Sequence, residues 1–448
     1  MRWVSSLLLA ALAMAADREL RLVTVDPAHF HAAQLHMKPI KGFSREAWVY
    51  APVGKDLAGH LNFISNLNAR SPQPDHWRYH IYSGDDFLER MLKDRPGEVV
   101  VLSGRNWKML DYIYKSVEAH LHVLADKPWI VDAKQFPKLE QALDMAERKG
   151  VIAYDSMSQR FDISYQLQRE LVNDPEVFGK PIEGTPERPT VEMASTHFLL
   201  KRFNGVPNLR PPAYFDILQQ GEAFADVGTH VVDLTHWTLF PEQALDYKKD
   251  IRMLSARRWP TVLSIEQFTK VTGEQTFPRY LNKDVRDGQL YYFTNNSVVY
   301  TVRGHHVKLG VAWDFESPGG ANDTMLAVYR GDKSEVMVRQ SSAENYVLEV
   351  YVTPTPGNHA AVLSALDKSF QKLASRYPGL SRTQVGAHTR IVIPQNLRTP
   401  DIEYFLLLAE RFAGYVRSPE TLPKWEKPNM LVKYWVTTQG VKMTRDTQ

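Results

Sequence analysis

Two short stretches of this 448-residue chain carry side chains whose types and spacing suit chemistry on a hydroxyl group. In His122-Val123-Leu124-Ala125-Asp126-Lys127-Pro128-Trp129 a lysine follows an apolar run and precedes a proline. At the carboxyl end of a parallel strand, such an ammonium can orient a hydroxyl and stabilise charge developing on its oxygen. The alternative is a solvated loop lysine. In the second stretch, Gly221 to Asp233, Asp226 and His230 stand four residues apart and Asp233 follows three later. On a helix these groups share one stripe, and a histidine paired with a carboxylate is a general base near neutral pH. The alternative is an N-capping Asp226 with a buried structural His230.

His29, His31 and His36 form a third group. Two histidines at i and i+2 converge on one side of an extended segment and can ligate a metal. No Asp, Glu or His partner stands at a predictable spacing, so no metal site is expected and these histidines read as capping or ligand-facing. His305-His306 reads as ordinary strand. With no cysteine in the chain, disulfides, thiolate metal sites, iron–sulfur clusters and cysteine nucleophiles drop out. Lys and Arg total 54 against 51 Asp and Glu, a net charge of +3, so there is no broad basic field for nucleic acid. A composition of 44% hydrophobic and 23% charged residues excludes disorder over most of the chain.

The elements that must position these groups read as two domains behind a leader. Met1-Arg2, the apolar run 3–12 and Ala13-Met14-Ala15 read as a Sec-type signal peptide over 1–16, so the protein is expected to be periplasmic or secreted. The run is too short to span a bilayer, no later segment does so, and no membrane anchor is expected. Residues 17–160 alternate strand-like runs (20–25, 47–50, 77–82, 98–102, 120–124, 151–154) with helical patterns at 107–121 and 135–149, the latter ending at Gly150. That alternation predicts an α/β fold whose N-terminal domain is a Rossmann-like doubly wound parallel sheet. Residues 161–448 predict a C-terminal α+β domain with a largely antiparallel open sheet. They give a helix at 163–172, strands at 190–199, 290–303, 305–315 and 324–329, a tight hairpin at Arg303-Gly304, and C-terminal helices at 359–377 and 401–416.

The turn after the first strand reads Val25-Asp26-Pro27-Ala28-His29-Phe30-His31, so Asp26, Ala28 and His31 hold the three positions of a G-x-G-x-x-G fingerprint. The fingerprint is absent, although a helix N-terminus after the turn could still donate N–H groups to an anion. Asp56 is the nearest candidate for an acid that would meet ribose hydroxyls.

Together the two stretches resemble the glucose–fructose oxidoreductase/inositol dehydrogenase (Gfo/Idh/MocA) superfamily. Asp126-Lys127-Pro128 matches its Glu-Lys-Pro motif with Asp for Glu, and Asp226, Gly228, His230 and Asp233 match D-x-G-x-H-x-x-D. Arg160 and Asn106 also stand at family positions. The stretch from Asn204-Gly205-Val206-Pro207 through Arg210-Pro211 to Gln219-Gln220-Gly221 resembles an exported branch with an oxidoreductase C-terminal domain. The resemblance implies an NAD(P)-dependent oxidoreductase acting on a sugar or sugar derivative by hydride transfer, with catalytic Lys127, Asp226 and His230. It implies cofactor contacts from Ala28, His29, Phe30, Ser103, Asn106, Asp126, Lys127 and Arg160, and substrate contacts from His197, Lys201, Tyr214 and Asp233. Export implies NAD or NADP held tightly through each cycle. A carbohydrate substrate and a homo-oligomer are expected. Two alternatives stand beside this reading: a redox-assisted NAD-dependent glycosidase, and a non-catalytic carbohydrate-binding relative without cofactor.

Overall fold

The computed structural model describes residues 19–446 except 71, 74, 75, 204, 205, 208 and 321. The leader expected over 1–16 lies outside the described residues, as do Asn204 and Gly205 of the branch-like stretch. The chain divides into two units. One comprises Met1–Trp129, Pro137–Ser158 and Asp401–Pro423, the other Ile130–Phe136, Gln159–Pro400 and Lys424–Gln448.

The first unit is built on β1 (Leu20–Val25), α1 (His31–Gln34), β2 (Phe43–Ala51), α2 (Lys55–Arg70), β3 (Arg78–Ser83), α3 (Phe87–Asp94), β4 (Val99–Leu102), α4 (Asn106–Glu118), β5 (His122–Ala125), α5 (Phe136–Lys149) and β6 (Ala153–Asp155). All strand pairs in its six-stranded sheet are parallel, in the order β3-β2-β1-β4-β5-β6. Helices cover both faces of such a sheet, so its central strands are apolar throughout; every residue of β4 is buried. Of the apolar residues at helical spacing, α4 buries Leu110, Ile113 and Val117, and α5 ends where Gly150 turns left-handed at φ +65°. The strand order reverses between β1 and β4, which makes the carboxyl ends of those two strands the switch point where ligands bind.

The second unit contains α6 (Ile163–Val172), β7 (Val191–Leu200), the short pair β8 (Arg202–Phe203) and β9 (Val206–Pro207), α7 (Ala223–Asp226), α8 (Gly228–Leu239), β10 (Ile251–Leu263), α9 (Ile265–Thr272), β11 (Val285–Arg286), β12 (Gln289–Val302), β13 (His305–Glu316), β14 (Thr324–Arg330), β15 (Ser334–Gln340), β16 (Glu349–Pro354), α10 (His359–Leu373), β17 (Ser381–Val385) and β18 (His388–Val392). Next in the chain is α11 (Asp401–Arg417), which belongs to the first unit, and α12 (Glu426–Asp446) closes the second. A ten-stranded sheet runs β10-β12-β13-β7-β14-β15-β16-β18-β17 with β11 beside β12, and only the β13–β7 pair is parallel. Alternate residues of β12 (Leu290, Tyr292, Val298, Tyr300, Val302) enter one core with Val231 and Val232 of α8 and Val432, Val436 and Val441 of α12. Arg303 and Gly304 both have positive φ, the conformation of a two-residue hairpin that matches strand twist. No described helix is long and apolar enough to cross a membrane.

Two histidines of the first unit sit in its interior without hydrogen bonds: His36 after α1 and His60 of α2, their rings 6.2 Å apart and His36 edge-on to Trp77. Burial lowers His60 to about 4 and His36 well below its ordinary value. Both are therefore neutral in the folded unit, while the unfolded chain protonates them below about pH 6.5. Stability is full above that pH and is lost as pH falls toward 4. Between pH 7 and 4.5, His60 alone should cost the fold roughly 2–3 kcal/mol. Chemical denaturation across that range should show the loss, and His60→Leu should flatten it; a pH-independent unfolding midpoint in the parent protein would contradict this.

Candidate active site

In the first unit the carboxyl ends of β1, β4, β5 and β6 meet around one carboxylate. Asp126 follows β5 and is 6% exposed. Its Oδ2 accepts from His31 Nδ1 at 2.8 Å and from Ser103 Oγ at 3.1 Å. Oδ1 accepts from Ser156 Oγ at 2.8 Å and from the Lys127 N–H at 2.9 Å. His29 Nδ1 lies 3.4 Å from Oδ2. Burial opposes the charge on Asp126, but the imidazoles turned toward it outweigh that and hold its carboxyl well below the usual range. Burial lowers His31 to about 4, so it is a neutral N–H donor at pH 7.

The β1 turn departs from the glycine fingerprint and compensates for the departure. Asp26 adopts φ +44°, the left-handed conformation that a fingerprint glycine supplies freely. Its carboxylate accepts from Tyr112 Oη at 2.8 Å and from Arg105 Nε at 3.3 Å, so its charge is matched within the protein. Arg105 also donates to Asp56 at 2.5 Å, which binds the acid nearest the ribose position to the same guanidinium. Gly104 runs so close to this turn that a Cβ there would stand 2.8 Å from Ala28, and Ala28 N–H donates to the Ser103 carbonyl at 2.9 Å. The helix expected to present N–H groups after the turn is a single turn, α1, and offers no extended dipole.

Among the sequence-derived cofactor positions, Ala28, His29, Ser103, Asp126 and Lys127 converge at this switch point. Asn106 is buried at the start of α4, and Phe30 is 48% exposed beside them. Arg160 belongs to the second unit, where it is 7% exposed, with Nε and Nη2 on both oxygens of Asp233 (2.7 and 2.6 Å) and Nη1 on Glu426 at 2.8 Å. Lys433 Nζ adds a 3.4 Å contact to Asp233. Arg160 and Asp233, expected at the cofactor and at the substrate, thus share a buried ion network tying α8 to α12.

Asp226 and His230 fall at the junction of α7 and α8 rather than within one uninterrupted helix. Asp226 Oδ2 accepts from Gln220 Nε2 at 2.9 Å, and His230 is half-buried one turn before Asp233. Of the four expected substrate residues, His197, Lys201 and Tyr214 fall near one another. His197 Nδ1 and Lys201 Nζ both contact Asp323 Oδ2, at 2.9 and 2.6 Å, and Ser195 Oγ meets His197 Nε2 at 2.8 Å. His197 and Lys201 together more than offset the burial of Asp323 and hold its carboxyl far below the usual range. Trp313 lies 4.9 Å from His197 and 5.5 Å from Tyr214, and the Arg210 guanidinium stacks on both Trp313 and Tyr214. Burial pushes the Tyr214 phenol up, and Asp226 adds to that push. Sequence reasoning missed Asp323, Trp313 and Gln220; Arg210 was quoted only as part of the branch-like stretch.

The family described as "Putative oxidoreductase C terminal domain" matches residues 167–445. The chain belongs to this family. Its fold is that of a "putative oxidoreductase" from Parabacteroides merdae, at 38% identity and TM-score 0.92 over 96% of this chain and 98% of that one. A 3-ketoreductase from Actinomadura kijaniata, solved with NADP and TDP-benzene, is 12% identical with TM-score 0.57 over 95% and 98% of the two chains. A further "putative oxidoreductase" from Thermotoga maritima is 13% identical with TM-score 0.59 over 96% and 99%. No curated protein sequence matches. As a member of this family the protein is an oxidoreductase.

Removing one partner of a buried ion network leaves the others uncompensated. Arg160→Met should destabilise the second unit by about 3–5 kcal/mol in chemical denaturation. A loss below about 1 kcal/mol would contradict a stabilising role for this network.

Proposed function

We propose that the protein is an exported NAD(P)-dependent oxidoreductase that oxidises a sugar or sugar derivative by hydride transfer. The observation that carries the reading is the Asp126-centred switch point, which anchors Lys127 by its own N–H beside the turns from β1, β4 and β6. The residues there fit a dinucleotide: Asp26 keeps the left-handed turn, Arg105 and Tyr112 hold its carboxylate, and Gly104 leaves room for the close backbone approach. Ala28, His29, Phe30, Ser103, Asn106, Asp126 and Lys127 would hold the cofactor, NAD or NADP, retained tightly through the cycle. When bound, a nicotinamide supplies the hydride acceptor.

In this proposal Lys127 holds the substrate oxygen and stabilises the charge that grows on it as the C–H bond breaks. His230 removes the hydroxyl proton, and Asp226 orients the His230 ring. His197, Lys201 and Tyr214 supply polar contacts to the sugar, with Asp323 holding the first two in place.

The test uses mature protein with NAD or NADP and a panel of sugars and glycosides deuterated at single carbinol carbons. Deuterium should appear in the reduced cofactor, and His230→Ala should lower kcat by about 10²- to 10⁴-fold. Glycoside cleavage with no net reduced cofactor would instead favour the redox-assisted glycosidase. Absence of any turnover, with saccharide binding that survives alanine at Lys127, Asp226 and His230, would overturn the enzymatic reading in favour of a binding protein.

A further inference from the structure

We infer that His29, His31 and Asp126 form a binding site for one divalent transition-metal ion of the class that prefers imidazole, with zinc as its representative. Among the described residues this is the only group of three or more His, Asp, Glu or Cys side chains placed to hold an ion, with one donor atom from each within 4.8 Å of the others. The inference does not rest on the redox reading, because the three donors converge irrespective of any nucleotide.

The donor atoms lie close enough to share one centre once an ion replaces the His31–Asp126 hydrogen bond and the His31 proton moves to Nε2. His31 Nδ1 is 2.8 Å and His29 Nδ1 is 3.4 Å from the same carboxylate oxygen. Two ligands of a tetrahedral ion with bonds of about 2.0–2.1 Å are separated by roughly 3.3 Å. As a hydrogen bond, the 3.4 Å contact is too long to satisfy His29, whose buried Nδ1 has no hydrogen-bond partner among the described residues. The oxygen it faces already accepts from His31 and Ser103. One cation would satisfy the His29 nitrogen and the crowded carboxylate oxygen together.

The surroundings hold the donors as the outer shell of a metal site does. The other Asp126 oxygen is fixed by Ser156 Oγ and the Lys127 N–H. The His31 ring packs 4.1 Å from Phe405, and His29 stands edge-on to His31 at 4.1 Å and 4.4 Å from Phe30. Two imidazoles and a single carboxylate favour Zn²⁺ or Co²⁺ over Mg²⁺ or Ca²⁺, which prefer oxygen ligands. The His29 side chain is 39% exposed and Asp126 only 6%, so the uncommitted positions of the ion would open on the His29 side to water or a small ligand. A three-ligand site with an open position is the arrangement of reactive rather than purely structural zinc.

The test is made on untagged, chelator-treated full-length protein. Calorimetric titration with Zn²⁺ should show one ion per chain with a Kd on the order of 1 µM or lower, and Mg²⁺ should give no heat. Co²⁺ should give visible d–d bands. His29→Ala should weaken Zn²⁺ at least about tenfold and remove the bands. His31→Ala should do the same, which guards against either variant losing its fold, and circular dichroism will report that. Absence of stoichiometric Zn²⁺ binding, or binding unchanged in both folded variants, would overturn the site. Nucleotide binding is read separately, so failure of the metal site would leave the redox proposal standing, and failure of the redox proposal would leave the metal site standing.

Discussion

The architecture of the first unit depends on keeping one ionised carboxylate buried at the carboxyl edge of its sheet. Asp126 is nearly inaccessible, yet it joins the chain after β1 through His31, the end of β4 through Ser103, the end of β6 through Ser156 and its own successor Lys127. A buried carboxylate is tolerable only when its oxygens are satisfied, and here four groups contributed by four strand ends do so. The same bonds that make the charge tolerable fix the lysine most suited to act on a substrate oxygen. Stability and chemistry therefore draw on one set of interactions, and loosening any turn would also move Lys127.

The glycine-poor loop fits this scheme. A glycine fingerprint solves two problems: a left-handed turn and backbone access for an anion. Asp26 meets the first by accepting φ +44°, at some cost for a residue with a Cβ. Its charge would oppose the second, but Arg105, itself left-handed at φ +56°, brings a guanidinium between Asp26 and Asp56, and Tyr112 donates from α4. Close approach is preserved elsewhere, where Gly104 passes Ala28. The motif is missing while the physical requirements behind it are met by different residues.

This explains what the sequence could and could not disclose. Strong local signals were legible: the apolar runs that became β1 to β6, the stripe of α4, the Gly150 cap and the Arg303-Gly304 hairpin all depend on neighbours within a few residues. The amphipathic α2 was not, because only Leu57, His60 and Ile64 of its sixteen residues are buried and its stripe is faint. The candidate residues Lys127, Asp226 and His230 stand in compact motifs that a sequence displays, whereas the partners around the candidate site residues are remote. Asp126 lies 95 residues from His31, and Asp323 lies 126 from His197. The fate of Arg160 was equally hidden, since its network is completed by Asp233, 73 residues on, and Glu426, 266 residues on. Charge pairs assembled by topology leave no spacing to read.

The central claim is that this switch point, without its glycines, still holds a nicotinamide dinucleotide. The direct measurement is to purify the protein from the cells that make it, denature it and quantify the released small molecules by mass spectrometry, alongside an Asp126→Asn variant. The account predicts close to one NAD or NADP per chain in the parent and far less in the folded variant. Protein that carries no nucleotide and takes up none when millimolar NAD or NADP is added back would contradict it.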